Sequence, residues 1–215
     1  MALILKDVSI AIADRQLIRP FSLGIAPGEI LTLMGPSGSG KSSLLSLIAG
    51  DLEAPFSPSG EIWLGGRNLT KLAPEVRGIG RLFQDDLLFP HMTVGENLLF
   101  GMPRGAAAGR QQAMREALRR VDLEGFADRP PHTLSGGQRS RVALMRALLA
   151  NPRAMLLDEP FNKLDQDLRD AMRHLVFNHL RERAIPCLLV SHDRADAPAG
   201  ARILTLSQQG DIQND

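Results

Sequence analysis

Leu31-Thr-Leu-Met-Gly-Pro-Ser-Gly-Ser-Gly-Lys-Ser-Ser43 decides how this chain is read. Gly35, Gly40, Lys41 and Ser42 fit the pattern G-x-x-x-x-G-K-[ST]. Ile30 to Met34 is a short apolar run, which predicts a buried parallel strand. Leu44, Leu45, Leu47 and Ile48 follow at helical spacing, and Gly50 closes the segment. A strand, a glycine-rich turn and a helix N-terminus together make an anion site, because free backbone N–H groups and the helix dipole point at the ligand. Glycines let the backbone approach without a Cβ in the way. The loop formed by Gly35, Pro36, Ser37, Gly38, Ser39, Gly40, Lys41, Ser42 and Ser43 is therefore the expected nucleotide-binding loop. Lys41 would reach the β/γ-phosphates as a point charge, and Ser42 would offer its hydroxyl to Mg²⁺. The bland alternative is a glycine-rich turn before an ordinary helix. The loop does not say what the nucleotide's energy is used for, and guanylate-kinase-like enzymes carry a very similar one.

The chain has 215 residues, about 1.4 domains on length alone, which suits one α/β domain with an inserted subdomain. At 44% hydrophobic and 23% charged it can bury a real core. Its 25 basic and 24 acidic residues leave a net charge of +1, which gives no electrostatic case for nucleic acid. Cys187 is the one cysteine, so no internal disulfide or thiol cluster is expected; it lies in an apolar run and reads as a small core residue. No basic n-region followed by an apolar h-region opens the chain, so no signal peptide is expected. No stretch approaches 18 uncharged apolar residues.

Along the chain, Leu3, Leu5, Val8, Ile10 and Ile12 predict a strand whose register shifts near Asp7. Phe21, Leu23 and Ile25 alternate as a second strand, and Pro27-Gly28 turns the chain into the loop's strand. Pro55 to Gly60 reads as loop, followed by alternating Ile62 and Leu64. Ile79 to Phe83 reads as a strand ending at Gln84. The character then changes. Thr93-x-x-Glu96 is a capping box. Gly101 to Gly109 is rich in Gly, Ala and Pro, and Met114, Ala117, Leu118 and Val121 have helical spacing. Residues 85–131 thus look mostly helical. A helix is expected from Ser135 to about Ala150, a buried strand at Ala154–Leu157, a helix at Gln166–Arg183, and strands at Pro186–Val190 and Ile203–Leu206.

Four further positions carry chemistry. Met155-Leu-Leu-Asp158-Glu159 is an apolar strand ending in two carboxylates, 117 residues after Lys41. Asp158 can help to hold Mg²⁺, and Glu159 can orient and polarise an attacking water. A solvated acidic turn is the bland reading. Leu134-Ser-Gly-Gly-Gln138 holds an S-x-x-Q capping box in Ser135 and Gln138. Gly136 and Gly137 in the first turn cost a helix about 1 kcal/mol each relative to alanine. Such residues suit a helix end that an anion approaches closely. Gln84, at the expected end of a strand, could touch metal or water. His192, after Leu188-Leu-Val-Ser191, could hydrogen-bond a γ-phosphate. Read singly, Gln84 is a polar strand edge and His192 a capping or core residue.

Taken together, GPSGSGKS at 35–42, Gln84, LSGGQ at 134–138, MLLDE at 155–159 and the His192 of SHD resemble the ATP-binding subunits of ABC transporters over almost the whole chain. Phe89-Pro-His-Met-Thr-Val-Gly-Glu-Asn97 looks like the segment after the glutamine loop in importer-type subunits for small solutes, and the compact length resembles bacterial thiamine-like import ATPases. The resemblance implies an α/β fold: a P-loop NTPase core with a parallel sheet, an N-terminal antiparallel β part and an inserted helical subdomain. It implies one domain over 1–215, with 1–84 and 154–215 mainly α/β core and about 85–150 mainly helical insert including the signature helix. It implies ATP and Mg²⁺ as ligands, with Ser42, Gln84 and Asp158 near the metal. It implies a head-to-tail homodimer in which Ser135, Gly136, Gly137 and Gln138 of one copy meet the nucleotide held by the other. Glu159 would be the catalytic base, and His192 and Gln84 sensors of γ-phosphate and water. The insert would grip a transmembrane permease, served by a separate solute-binding protein, with this subunit cytoplasmic and peripheral on the inner face of the cell membrane. A small-molecule or nucleotide kinase shares the loop but not the other four features. The sequence departs from the family at Ile12, where an aromatic usually stacks on adenine, so weak or poorly discriminating nucleotide binding is expected unless another group such as Arg15 covers the base. It departs again at Asn162-Lys163 before Leu164-Asp165, where Asp165 is kept but the altered pair bears on communication between the two sites, and no regulatory C-terminal domain is expected after the last strand.

Overall fold

Residues 1–214 are described in the structure, a computed structural model. The chain divides into two compact units. One comprises Met1–Arg81, Arg153–Glu159 and the chain from Leu175 on; the other comprises Leu82–Pro152 and Pro160–His174.

The first unit holds two sheets. β1 (Leu3–Ile12), β2 (Arg15–Ile25), β4 (Phe56–Leu64) and β5 (Arg67–Asn68) form an antiparallel sheet in the order β2-β1-β4-β5. Leu3 and Leu5 point inward on one parity of β1, and Val8 and Ile10 on the other. The change is a bulge: Asp7 takes a φ of 50°, and the pairing shifts between Leu5 and Val8. The register break expected near Asp7 is therefore real.

The expected loop over Pro55–Gly60 is instead the first half of β4, which pairs with β1 from Phe56 opposite Ile12 to Ser59 opposite Ser9. Pro58 disguised it. Pro58 faces Ile10 across one edge, while β5 reaches only Trp63 and Leu64 along the other, so the missing proline N–H disturbs no ladder. β2 likewise begins at Arg15, six residues before the alternating stretch.

The second sheet has six strands in the order β10-β9-β3-β8-β7-β6: β3 (Ile30–Met34), β6 (Ile79–Leu82), β7 (Ala154–Asp158), β8 (Cys187–Val190), β9 (Ile203–Leu206) and β10 (Ile212–Asn214). β3 pairs in parallel with β8 and β9, and β7 in parallel with β8. β7 and β8 are buried at every position, which is why they read as unbroken apolar runs. α1 (Lys41–Ala49) packs Leu44, Leu45, Leu47 and Ile48 into the same core as Leu31, Leu33, Leu156 and Leu188. Its C-terminus is fixed by Arg77, which is 4% exposed. The guanidinium donates to the carbonyls of Leu47 (3.0 Å), Ile48 (2.9 Å), Leu72 (2.8 Å) and Thr70 (3.1 Å). A cation there complements the negative end of the helix dipole. β5, β10 and the single turn α2 (Pro74–Arg77) were not anticipated, because two to four residues carry too little periodicity to detect.

The second unit is mainly helical: α3 (Val94–Gly101), α4 (Ala107–Arg120), α5 (Gly136–Leu149) and the first half of α6 (Gln166–Glu182). Thr93 and Glu96 form the expected capping box. The buried Asn97 amide accepts from the Phe89 N–H (2.8 Å) and donates to the carbonyls of Phe89 (3.1 Å) and Thr93 (3.0 Å). That one side chain folds residues 89–93 back onto α3. Met114, Ala117, Leu118 and Val121 are buried as their spacing predicts, on a helix that starts at Ala107. The unit also takes in 160–174, a stretch the sequence reading placed with the α/β core. No helix among the described residues is long and apolar enough to cross a membrane.

Candidate active site

Leu33 of β3, Val190 of β8 and Asp158 of β7 lie in one row across the parallel sheet. Beyond that row the three strands release Gly35–Ser42, Ser191-His192 and Glu159. Ligands of open α/β sheets bind outside the carboxyl ends of such strands. The topology thus gathers residues from distant parts of the sequence at one edge.

The loop itself is built for a close approach. Gly35, at φ 147°, lies so near the end of β9 that a Cβ would stand 2.3 Å from the Leu206 carbonyl oxygen. Gly40, the N-cap of α1, takes φ 104°, and a Cβ there would lie 3.0 Å from the Leu17 side chain. Left-handed backbone at the cap favours glycine, and glycine brings no capping side chain, so the first N–H groups of α1 have no side-chain acceptor. Pro36, Ser37, Gly38 and Ser42 are exposed, while Ser43 is half-buried. Ser39 is buried, and its hydroxyl has no partner among the described residues.

The Lys41 Nζ arches over the loop and donates to the carbonyls of Gly35 and Pro36, each at 2.8 Å. Partial burial pushes its pKa below the ordinary lysine value, while the nearby Glu159 and Asp158 carboxylates work against that shift.

Glu159 occupies left-handed backbone at φ 50°. For a residue with a side chain this costs about 1–2 kcal/mol. Its N–H is held by the Val190 carbonyl at 3.0 Å, which fixes the turn at the strand's end. The carboxylate is 14% exposed and meets the His192 Nδ1 at 2.8 Å through Oε2; the imidazole is 67% exposed. Behind them the buried Ser191 hydroxyl donates to Asp196 at 2.7 Å and accepts from the Asp193 N–H at 3.1 Å, bracing the turn that carries His192. Asp158 is 5% exposed at the end of β7.

Among the described residues no three His, Cys, Asp or Glu side chains cluster as a cation cage. Asp158 and Ser42 still make a fitting set for Mg²⁺, whose sites use one or two protein oxygens together with substrate phosphates and water. Beside the loop lies a cleft of about 270 Å³, lined by Gly38, Gly40, Lys41 and Ser42 and by the apolar Ile12, Leu17 and Phe56.

Gln84 and Ser135–Gln138 belong to the second unit. Gln84 sits in an exposed bend two residues past β6 and does not end the strand, which stops at Leu82. Ser135 is the N-cap of α5. Its hydroxyl accepts from the Gln138 N–H at 3.2 Å, and the Gln138 side chain accepts from the Ser135 N–H at 2.9 Å. A Cβ on Gly136 would meet nothing nearer than Arg139 at 4.0 Å, whereas one on Gly137 would lie 3.3 Å from the Lys163 carbonyl. Lys163 also ion-pairs with Asp86 at 3.3 Å, and Asp86 lies 3.6 Å from Arg139. Neither Asp86 nor Arg139 stood out in the sequence, because isolated charges carry no pattern. Arg77 was missed for the same reason.

The comparison with family models matches residues 18–162 to the ABC transporter family. The chain belongs to that family. This ABC protein is an ATP-binding cassette, and cassettes of the family are ATPases whose hydrolysis of ATP drives transport. It is 46% identical to the Escherichia coli K12 ABC transporter ATP-binding protein YnjD, covering 99% of this chain and 98% of that one. It is 40% identical to the Fe(3+) ions import ATP-binding protein FbpC of Pasteurella multocida, over 98% of this chain but 60% of the relative. It is 43% identical to the spermidine/putrescine import ATP-binding protein PotA of Lawsonia intracellularis, over 97% of this chain and 56% of that protein. The ABC cassette therefore spans a little over half the length of those two import relatives. Among solved structures, the dimeric MJ0796, a bacterial ABC transporter cassette, superposes with a TM-score of 0.85 at 32% identity, covering 99% and 98% of the two chains. A post-hydrolysis dimer of MJ0796 bound to ADP and Pi gives 0.84. A kinase reading accounts for the loop but for none of this agreement across the rest of the chain.

Proposed function

We propose that this ATPase drives import of a small solute through a membrane permease. It works as one ATPase domain over 1–215, peripheral on the cytoplasmic face, and a separate solute-binding protein delivers the cargo. Two copies close head to tail around ATP, each offering Ser135–Gln138 to the nucleotide on the other copy's loop. The single observation that carries the reading is the convergence at one sheet edge of the uncapped α1 N-terminus, Lys41, Asp158 and the Glu159–His192 pair. Import is supported by relatives named as import ATP-binding proteins.

In this reading the phosphates lie on the N–H groups of Gly38–Ser43, with Lys41 on the β/γ-phosphates and the Ser39 hydroxyl free to donate. Ser42 and Asp158 would hold Mg²⁺, which supplies charge neutralisation on the phosphate oxygens when bound. Glu159 accepts the proton of the attacking water. His192, hydrogen-bonded to Glu159, keeps that carboxylate aimed and offers its far ring nitrogen to the γ-phosphate. Gln84 is assigned the sensing of water and metal by resemblance to the family.

Gel filtration of Glu159→Gln with and without Mg-ATP, beside phosphate release by the wild type, tests this reading. A nucleotide-dependent dimer that no longer hydrolyses is expected, with a rate loss of about 10²–10⁴ for a missing general base. A mutant that hydrolyses at the wild-type rate removes Glu159 from the chemistry. A wild type that releases no phosphate except by transfer to an added nucleotide sinks the transport reading.

A further inference from the structure

The cleft beside the loop has two chemistries. Gly38, Gly40, Lys41, Ser42 and Ser43 offer backbone N–H groups, a cation and two hydroxyls, whereas Ile12, Leu17 and Phe56 offer no side-chain hydrogen-bonding atom. Phe56 is the one aromatic among these lining residues. It is partly buried, packed against the hydrophobic core, and set in the sheet as the first residue of β4 directly opposite Ile12. A side chain held that way is already ordered before anything binds. Arg15, the partner of Ile12 on β2, is exposed and does not line the cleft. A nucleotide whose phosphates occupy the loop brings its base along as a flat π-surface with a polar edge. An apolar wall can cover the face of that base but has nothing to read its edge.

We infer that Phe56 is the platform for the nucleotide base, and that the base is held by its face alone, so adenine and guanine are not told apart. This rests on the nucleotide reading of the loop. It also replaces the expectation drawn from Ile12: the aromatic comes from the neighbouring strand. Stacking lost on alanine substitution is worth about 1–3 kcal/mol per base, or about 5- to 150-fold in affinity. Rejection of an analogue by the 10⁴-fold that buried polar groups give is not available to such a wall.

Calorimetric titration of the full chain with Mg-ATP, Mg-GTP and inorganic triphosphate tests the inference on wild type, Phe56→Ala, Phe56→Leu, Phe56→Tyr and Lys41→Ala. The wild type should bind ATP and GTP within about 5-fold of each other. Phe56→Ala should weaken both by about 5- to 150-fold and leave triphosphate unchanged. Phe56→Leu keeps apolar volume, so it carries the test if the alanine variant fails to fold, and should also weaken both; Phe56→Tyr should bind as the wild type does. Equal loss of triphosphate binding, unchanged ATP binding in Phe56→Leu, or a preference for ATP above 100-fold each overturns the proposal. If Phe56→Leu is unchanged while Lys41→Ala abolishes binding, the platform fails and the loop reading stands. If Lys41→Ala binds ATP like the wild type, the loop reading itself fails.

Discussion

Two helix N-termini in this protein are made from similar residues and end up opposite in character. α1 begins after Gly40, which has no side chain to cap it, so its leading N–H groups meet the cleft bare. α5 begins after Ser135, which with Gln138 closes a reciprocal capping box over its own first turn. The first end is committed to a ligand: with glycine at the cap it forgoes a side-chain acceptor at a cost of only about a few tenths of a kcal/mol, and it places a lysine over the loop. The second is stable as it stands, and anything that binds there must use the N–H groups its cap leaves over. Serine and glycine therefore do not define an anion site by composition. What decides is whether the cap position holds the glycine or the serine.

The sharpest way to break this contrast is at the open end. Lys41→Ala removes the cation but leaves the glycine backbone and the helix dipole. Truncating one member of a close charge pair typically costs about 2–5 kcal/mol, so ATP affinity should fall by at least about 30-fold. Fluorescence or calorimetric titration reads it. Affinity within 3-fold of wild type would place the phosphates away from the loop, and leave Lys41 only bracing Gly35 and Pro36. At the closed end, Ser135→Ala should cost about 0.5–2 kcal/mol of stability, read as a lower denaturant midpoint with unchanged slope. The same substitution should lower phosphate release without changing the affinity of a single copy for ATP, because the loop of the first unit is untouched. A variant with lost stability and full hydrolysis would leave Ser135 a cap and nothing more.

How much of this was legible beforehand depends on the range of the signal. The loop, the capping boxes at Thr93 and Ser135, and the buried strands at 30–34, 154–158 and 187–190 follow from neighbours in sequence, and each lies within a residue or two of its expected bounds. The bulge at Asp7 was visible because it switches which parity of β1 is apolar. What could not be read were contacts set by pairing. Phe56 sat inside a stretch that Ser57-Pro58-Ser59-Gly60 made look like loop, so an aromatic lining the cleft passed unnoticed. Arg77 ties the far end of α1, through the Leu47 and Ile48 carbonyls, to those of Thr70 and Leu72, none closer than five residues in sequence. That Glu159 and His192 serve one site was expected only through resemblance, and their direct hydrogen bond was not expected at all. In the structure it follows from Asp158 and Leu33 both pairing with Val190.

Gly136 and Gly137 give the finest test, because the sequence treats them alike and the structure does not. A Cβ at Gly137 would press on the Lys163 carbonyl at 3.3 Å, so that glycine already has a packing reason to exist. A Cβ at Gly136 meets only the tip of Arg139 at 4.0 Å, and its side faces open space. Judged on the folded chain alone, Gly136→Ala should therefore stabilise α5 by up to about 1 kcal/mol, since alanine is the better helix former. A residue that lowers stability without a packing reason is expected where a ligand must come close. Gly136→Ala should then raise the thermal midpoint by a few degrees and still reduce phosphate release, with ATP affinity at the α1 loop unchanged. Higher stability with full hydrolysis would show that the open face of Gly136 serves no nucleotide. In that case α5 starts with a plain cap, and the contrast between the two helix ends is complete.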